Sequence, residues 1–130
     1  HTHREKALAA AEQKAANRLT EAERKAAVKR AAQMLAEKTA HFAKEMGVTY
    51  GRITIREQKT RWGSCSSAGN LNYNWKLVLM PERVMDYVVI HELAHRKEMN
   101  HSARFYAVVA QQMPDYKVWQ SWLKEHGREY

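Results

Sequence analysis

An abrupt change of pattern at Gly47 constrains the fold of this sequence more than any other feature. From Arg4 to Met46 there is no glycine or proline, and the segment is dominated by alanine, glutamate, lysine and arginine, which favour helices. After Gly47 apolar and polar residues alternate with a period of about two, which is typical of strands. The sequence therefore predicts an α+β fold, with a helical N-terminal segment over residues 1–47 and a core over residues 48–130 that together form one domain.

The helical segment contains an internal signal for a helix start. Thr20 followed by Glu23 makes a capping box, in which the two side chains satisfy each other's backbone amides. We therefore expect one helix before Thr20 and a second over residues 20–46, with Gly47 as its left-handed stop. The second helix carries a stripe at helical spacing that should face a core, formed by Val28, Ala31, Leu35, Thr39, Phe42 and Met46.

The strand-forming part predicts a small sheet. Ile53 and Ile55 alternate with polar residues, and a further extended stretch runs from about Thr60 to Cys65. Residues 66–70 are rich in turn formers, so we expect a hairpin there. The returning strand is expected to direct one set of alternating apolar residues to a single face, namely Leu71, Tyr73, Trp75, Leu77 and Leu79.

The remainder of the chain predicts three helices. Pro81 and the acidic residue after it suit the first turn of a helix, which we expect to run to Met99. Pro114 separates two further helical stretches over residues 102–113 and 115–126. The C-terminal half is therefore expected to be mainly helical.

The first of these helices contains the pattern H-E-x-x-H at His91, Glu92 and His95. Residues four apart project from the same side of a helix, so the two imidazoles can bind one zinc ion. Glu92 is rotated by about 100° from His91, which leaves its carboxylate beside the metal instead of on it. Val84 and Val88 share the stripe of the histidines, so the imidazoles are expected to point inward. The alternative is a core helix whose histidines are only hydrogen-bonded.

A catalytic zinc site needs three protein ligands and keeps a fourth position open. His101 follows His95 after an expected helix end, and Asn100 tolerates the left-handed conformation that turns a chain back. We therefore predict His101 as the third ligand of one zinc ion per chain. Cys65 is the strongest competitor because thiolate is a good zinc ligand. Weaker competitors are Glu98, His41 and His126. We expect the side chains of His41 and His126 to be solvated.

Charge and composition limit the possible binding partners and the cellular compartment. The net charge of +8 permits attraction to an acidic partner such as nucleic acid, but the charges are spread along the chain without a basic block. The single cysteine, Cys65, excludes an intramolecular disulfide framework. The sequence has no long apolar run and no apolar N-terminal signal region, so we expect a cytoplasmic protein without membrane insertion.

Further motifs surround this zinc pattern. They are Arg61-Trp62-Gly63-Ser64-Cys65, Leu79-Met80-Pro81, the run from Asp86 to His95, Asn100-His101-Ser102 and Phe105. Over about residues 50–125 they make the chain similar to the YgjP-like family of metal-dependent hydrolases, which are relatives of SprT-like and Wss1-like zinc proteases. The resemblance implies a minimal zincin-like domain: a helical N-terminal part, a small, about three-stranded antiparallel sheet, an active-site helix and C-terminal helices. The resemblance also supports His101 as the third ligand. This sequence departs from the family at Tyr106, where tryptophan is common.

The resulting hypothesis is a zinc metallopeptidase that hydrolyses a peptide or protein substrate. Glu92 acts as the general base on a zinc-bound water, and the substrate lies along an exposed strand edge. A group for the developing oxyanion is left open among Arg61, Tyr73, Tyr106 and Arg104. One alternative is a deformylase- or amidase-like zinc hydrolase of a small amide, with Cys65 near the metal. The other is a zinc-stabilised basic module that binds nucleic acid.

Overall fold

The computed structural model describes residues 19–58 and 61–130, and the first helix expected from the sequence lies outside these residues. The elements, in chain order, are α1 (Glu21–Met46), β1 (Ile53–Arg56), β2 (Gly63–Cys65), β3 (Leu71–Asn74), a 3-10 helix (Trp75–Leu79), α2 (Glu82–Ala94), α3 (Ala103–Gln112), α4 (Tyr116–His126) and a short 3-10 helix (Gly127–Glu129). The predicted α+β class is confirmed. Among the described residues, no helix is long and apolar enough to cross a membrane.

Helix α1 begins and ends where its capping residues predict. The Thr20 hydroxyl accepts a hydrogen bond from the Glu23 amide, and the Glu23 carboxylate accepts one from the Thr20 amide, each at 3.1 Å. Gly47 ends the helix with a φ of 71°, in the left-handed region that favours glycine. Val28 and Phe42 are only half-buried, so the buried face differs slightly from the predicted stripe. That face consists of Ala27, Ala31, Leu35, Thr39, Ala43 and Met46.

The three strands form one sheet in the order β1, β3, β2. The hairpin predicted at residues 66–70 is confirmed, because β2 and β3 pair antiparallel and the Ser66 amide donates to the Asn70 carbonyl at 3.0 Å. The sheet is mixed and not wholly antiparallel as expected, since β1 pairs with β3 in parallel, with Ile53 opposite Leu71. The physical reason is that the chain reverses direction between β1 and β2 and again in the hairpin, so β3 runs in the direction of β1 and pairs with it on the side away from β2. The central position of β3 explains why it is the most buried strand.

The chain leaves the sheet at Asn74, earlier than its alternating pattern predicts. The Asn74 side chain accepts a hydrogen bond from the Lys76 amide at 3.0 Å and donates one to the Gln58 carbonyl at 2.9 Å. This side-chain cap starts a tight 3-10 helix in place of further strand pairing. Trp75 and Leu77 stay buried in that helix, but the extended conformation predicted for them was wrong.

Helix α2 is buried along almost its whole length and occupies the centre of the fold. It begins after Pro81, as predicted, but ends at Ala94 and not at Met99. The Arg96 amide donates to the Leu93 carbonyl at 2.9 Å, a short-range bond that tightens the last turn and stops the helix. Pro114 separates α3 from α4, as the sequence predicts.

A partly buried ion-pair cluster joins α1 to α2. The Lys38 ammonium donates to Asp86 at 2.6 Å and to Glu82 at 2.7 Å, and Asp86 is only 7% exposed. Burial alone would lower the pKa of Lys38, but its hydrogen bonds to the two carboxylates outweigh that effect and raise the pKa. Arg83 also donates to Asp86, at 3.3 Å. The cluster therefore fixes α1 against the central helix.

We predict that Lys38→Ala lowers the free energy of unfolding by about 1–3 kcal/mol, because it leaves the buried Asp86 carboxylate with a weaker cationic partner. Lys29→Ala, at an exposed position of the same helix, is the matched control and should change stability by less than about 0.5 kcal/mol. Urea unfolding followed by circular dichroism measures both. Equal midpoints for the two variants would contradict a structural role for the Lys38 pair.

Candidate metal centre and active-site cleft

The last turn of α2 places two histidines and one glutamate at the edge of the core. His95 and Glu92 are buried, with exposures of 8% and 6%, and His91 is half-buried. The helix carries them inward because most of its other residues are apolar and pack in the core. His95 is the capping residue of α2, so the chain turns away immediately after the second histidine.

The turn after α2 returns His101 to the same place. The Ser102 amide donates to the Asn100 carbonyl at 2.8 Å, and the Ser102 hydroxyl caps α3 by accepting from the Phe105 amide at 3.3 Å. These bonds fix the chain on both sides of His101. The imidazole of His101 therefore lies opposite the helix that carries the other two histidines.

Three imidazoles converge in this region. The ring centroids lie 5.3 Å apart for His91 and His95, 5.1 Å for His91 and His101, and 4.8 Å for His95 and His101. One nitrogen from each ring lies within 4.8 Å of a nitrogen from each of the others. The structure thus brings together the three histidines predicted as ligands, in a group that could hold a metal ion.

Phe105 packs against all three imidazoles. Its ring centroid lies 4.9 Å from that of His91, 4.5 Å from that of His95 and 4.9 Å from that of His101. Phe105 is fully buried in α3, so its position is fixed by the core. The sequence analysis included Phe105 only as part of a family resemblance and did not identify this contact. The available signal was its helical spacing from Ser102, which places it in the first turn beside His101.

The Glu92 carboxylate lies beside the histidine group. Its Oε2 atom is 3.2 Å from His91 Nδ1. Burial lowers the pKa of His101, and the nearby rings of His91 and His95 lower it further, while Glu92 acts in the opposite direction. A group of crowded imidazoles thus faces one buried carboxylate.

An open cleft with a volume of about 390 Å³ gives access to these residues. One side is formed by α2 and His101, and the other by β2 and the residue at its approach, Arg61. The two sides meet at Gly63, where an added Cβ atom would lie 3.0 Å from Val88 Cγ1 and 3.1 Å from Glu92 Cγ. The strand can approach the helix this closely because glycine has no side chain.

Cys65 lines the same cleft but is not one of the three converging ligands. Its thiol donates to the Ser66 carbonyl at 3.4 Å. Burial raises the pKa of Cys65, and the charge of Glu92 raises it further. The charge of Arg96 acts in the opposite direction without reversing the shift, so the environment disfavours the thiolate, which is the metal-binding form of cysteine.

The other proposed ligands lie apart from the three-histidine group. His41 is exposed and pairs with Glu45 at 3.4 Å, and Glu98 does not line the cleft. His126 was expected to be solvated, which was wrong: it is 5% exposed and packs against Trp122 with a ring separation of 5.0 Å. Its burial follows from the apolar face of α4, which continues to the end of that helix.

The four residues considered for oxyanion stabilisation are also separated by the fold. Arg61 lines the cleft, whereas Arg104 is exposed and does not. Tyr73 is 1% exposed, and its hydroxyl lies 3.0 Å from the Thr39 hydroxyl, so it faces the core. Tyr106 stacks on His101 with ring centroids 6.3 Å apart. Arg61 is thus the cationic group at the open side of the site.

Comparison with known proteins identifies the family. The chain matches the YgjP-like metallopeptidase domain over residues 1–126. The chain belongs to the YgjP-like metallopeptidase family. This YgjP-like protein is accordingly a metal-dependent peptidase, and the resemblance noted from its motifs is confirmed. Comparison with curated proteins finds no match.

Two solved structures share its fold. One is the metallopeptidase zymogen abylysin of Pyrococcus abyssi, with a TM-score of 0.64 and 24% identity over 72% of this chain and 96% of that chain. The other is the metallopeptidase zymogen jannalysin of Methanocaldococcus jannaschii, with a TM-score of 0.54 and 19% identity over 65% and 90% of the two chains. At these identities the likeness shows a shared fold.

We predict that Phe105→Leu weakens binding of Zn²⁺, used as the probe ion, by about 10-fold, because a smaller side chain no longer fixes the three imidazoles. The matched control is Phe42→Leu, since Phe42 also packs on a histidine, His41, at 5.0 Å but lies outside the cleft. Competition titration with a chromophoric chelator measures both affinities. An unchanged affinity in Phe105→Leu would show that the rings are held without it.

Proposed function

We propose that this YgjP-like metallopeptidase hydrolyses peptide bonds at one zinc ion held by His91, His95 and His101, with Glu92 as the general base. The observation that carries the proposal is the convergence of three imidazoles beside a buried carboxylate on one wall of an open cleft. Three nitrogen ligands and an accessible fourth position are the ordinary composition of a catalytic zinc site.

The residues fit a zinc ion for a second reason. His95 Nδ1 is a buried atom without a hydrogen-bond partner among the described residues. Buried polar atoms without partners are costly, and a histidine facing two other imidazoles can satisfy its ring by binding a metal. Imidazole nitrogen also suits zinc better than magnesium or calcium, which prefer oxygen ligands.

Zinc held by His91, His95 and His101 would supply Lewis acidity, which activates water and polarises a scissile carbonyl. Glu92 then accepts the proton of the attacking water at its carboxylate, which is held beside the histidines by burial in α2. The same carboxyl group returns that proton to the leaving amine when the peptide bond breaks. Glu92 suits both steps because it lies next to the ligand set and does not belong to it.

A peptide substrate can align along the edge of β2. The strand order leaves one edge of β2 without a strand partner in the described part of the chain, and the β2 residues Gly63 to Cys65 line the cleft. An extended peptide can form backbone hydrogen bonds with such an edge. Because Gly63 contacts Glu92, a peptide bound there passes close to the general base.

Arg61 is placed to stabilise the oxyanion that forms on the scissile carbonyl. It lines the cleft together with the histidines and Glu92, and its guanidinium has no carboxylate partner among the described residues. A cation directed at the developing negative charge stabilises the transition state more than the ground state. Tyr73 does not suit this role because it is buried and its hydroxyl pairs with Thr39.

The two alternative functions are less well supported. A deformylase-like site needs Cys65 on the metal and a narrow pocket, whereas Cys65 lies outside the converging group and the cleft is open. A nucleic-acid-binding module is favoured by a compact block of basic residues, whereas the positive charge of this chain is spread along its sequence. The metal group beside a buried carboxylate favours hydrolysis.

We predict that the unaltered protein carries about one zinc ion per chain, that His101→Ala loses this ion, and that Cys65→Ser and Glu92→Gln retain it. Glu92→Gln should lose peptidase activity by about 100-fold or more, because the general base is removed while the metal stays. Elemental analysis of proteins purified without added metal gives the zinc content, and cleavage of a quenched fluorescent peptide pool gives the activity. Zinc that is lost with Cys65 and kept without His101 would overturn the ligand assignment.

We also predict that Arg61→Gln lowers kcat by about 100-fold with little change in KM, because its charge acts on the transition state. Arg104→Gln is the matched control: it removes an exposed arginine of the same region that does not line the cleft. Steady-state kinetics on one cleaved peptide separate the two constants. If KM rises while kcat is unchanged, Arg61 binds the substrate uniformly and does not stabilise the oxyanion.

A further inference from the structure

A second, smaller cavity opens beside the active-site cleft. Its volume is about 160 Å³, and it shares Gly63, His91 and Glu92 with the lining of the cleft. A side chain entering this side pocket would therefore belong to a residue next to the reacting peptide bond. Its lining residues come from α2, α4 and the start of β2 with the residue before it.

The remaining walls of the side pocket are apolar or aromatic. They are formed by Trp62, Tyr87, Val88 and Leu123. Among the described residues that line it, Glu92 at the shared side is the only one with a charged carboxyl or ammonium group. A charged substrate side chain would thus lose hydration there against apolar walls, and the one carboxylate it would meet is that of Glu92, which the proposed reaction uses as general base.

These walls are held in place by the core. Val88 and Tyr87 are 3% and 6% exposed, and burial raises the pKa of Tyr87 to about 12, so its wall is uncharged at neutral pH. Trp62 packs against the backbone of Gly127, where an added Cβ atom would lie 3.0 Å from the indole Nε1. The C-terminal segment thus supports the Trp62 wall of the pocket from its other side.

We propose that this side pocket selects substrates with a large apolar side chain, aromatic or branched aliphatic, at a residue that flanks the scissile bond. This inference rests on the proposed peptidase function and adds the substrate class to it. An apolar cavity of about 150 Å³ is large enough to bind benzene. A pocket of similar size with aromatic walls accordingly fits a phenylalanine or leucine side chain.

The first test uses peptides that differ at one residue, Phe, Leu, Gly or Lys, placed in turn on each side of the cleaved bond. Phe and Leu at one of these positions should give a kcat/KM at least about 10-fold above that of Gly or Lys. Leu123→Trp fills the pocket and should reduce the ratio of kcat/KM between the Phe and Gly peptides to about two-fold or less. Val118→Trp is the control, since Val118 lies on the same helix but is 58% exposed.

The second test measures binding without catalysis. The indole N–H signal of Trp62 in ¹⁵N NMR, assigned with Trp62→Phe, is followed during addition of N-acetyl-phenylalanine methylamide or N-acetyl-lysine methylamide. The phenylalanine compound should shift this signal and the lysine compound should not. If the compounds act equally, or if all four peptides are cleaved equally, the side pocket does not select apolar side chains. If the phenylalanine compound binds selectively but no peptide is cleaved, the pocket stands and the proposed zinc mechanism fails.

Discussion

The close contact between β2 and α2 at Gly63 is the constraint on which the rest of the site depends. A Cβ atom at this position would approach Val88, Glu92 and the Asn72 carbonyl at 3.0–3.2 Å, so a side chain here would push the strand and the helix apart by a few tenths of an ångström. The contact places a strand edge, which can bind an extended peptide, next to the buried carboxylate. It also separates the cleft from the side pocket, because Gly63 lines both.

The early end of α2 is the second requirement. If the helix continued to Met99, His101 would be carried away along its axis by about 1.5 Å per residue. Instead the chain turns after His95, and Arg96 fixes the turn against the sheet by donating to the carbonyls of Thr49 at 2.8 Å and Ser67 at 3.2 Å. The same arginine therefore stabilises the hairpin that carries β2 and the turn that returns His101. Both sides of the cleft depend on this one side chain.

The sequence predicted the structural features that depend on residues close together in the chain. The Thr20 capping box, the hairpin at residues 66–70 and the spacing of His91 and His95 each depend on neighbours a few residues away, and the structure contains all three features.

The parallel pairing of β1 with β3 could not be read from the sequence, because alternating residues fit either direction. The end of α2 depends on Arg96 reaching distant carbonyls, and the burial of His126 depends on packing between α4 and the rest of the core. The contact of Phe105 with three imidazoles needs α3 in place, which only the tertiary fold provides.

The three histidines are polar side chains at the edge of an apolar core, where their ring nitrogens need hydrogen-bond or metal partners. Phe105 is fully buried against all three rings and excludes water from their inner side, while the outer side opens to the cleft. Such a position weakens solvation of the imidazoles and strengthens any bond they make to a cation. In the proposed site, metal binding would therefore satisfy His95 and also hold α2 and the chain at His101 together. Binding energy of this kind adds to the stability of the folded state. Apolar surroundings raise the free energy of the three imidazoles when no metal is bound. The same apolar packing continues into the walls of the side pocket, so it contributes both to metal binding and to substrate selection.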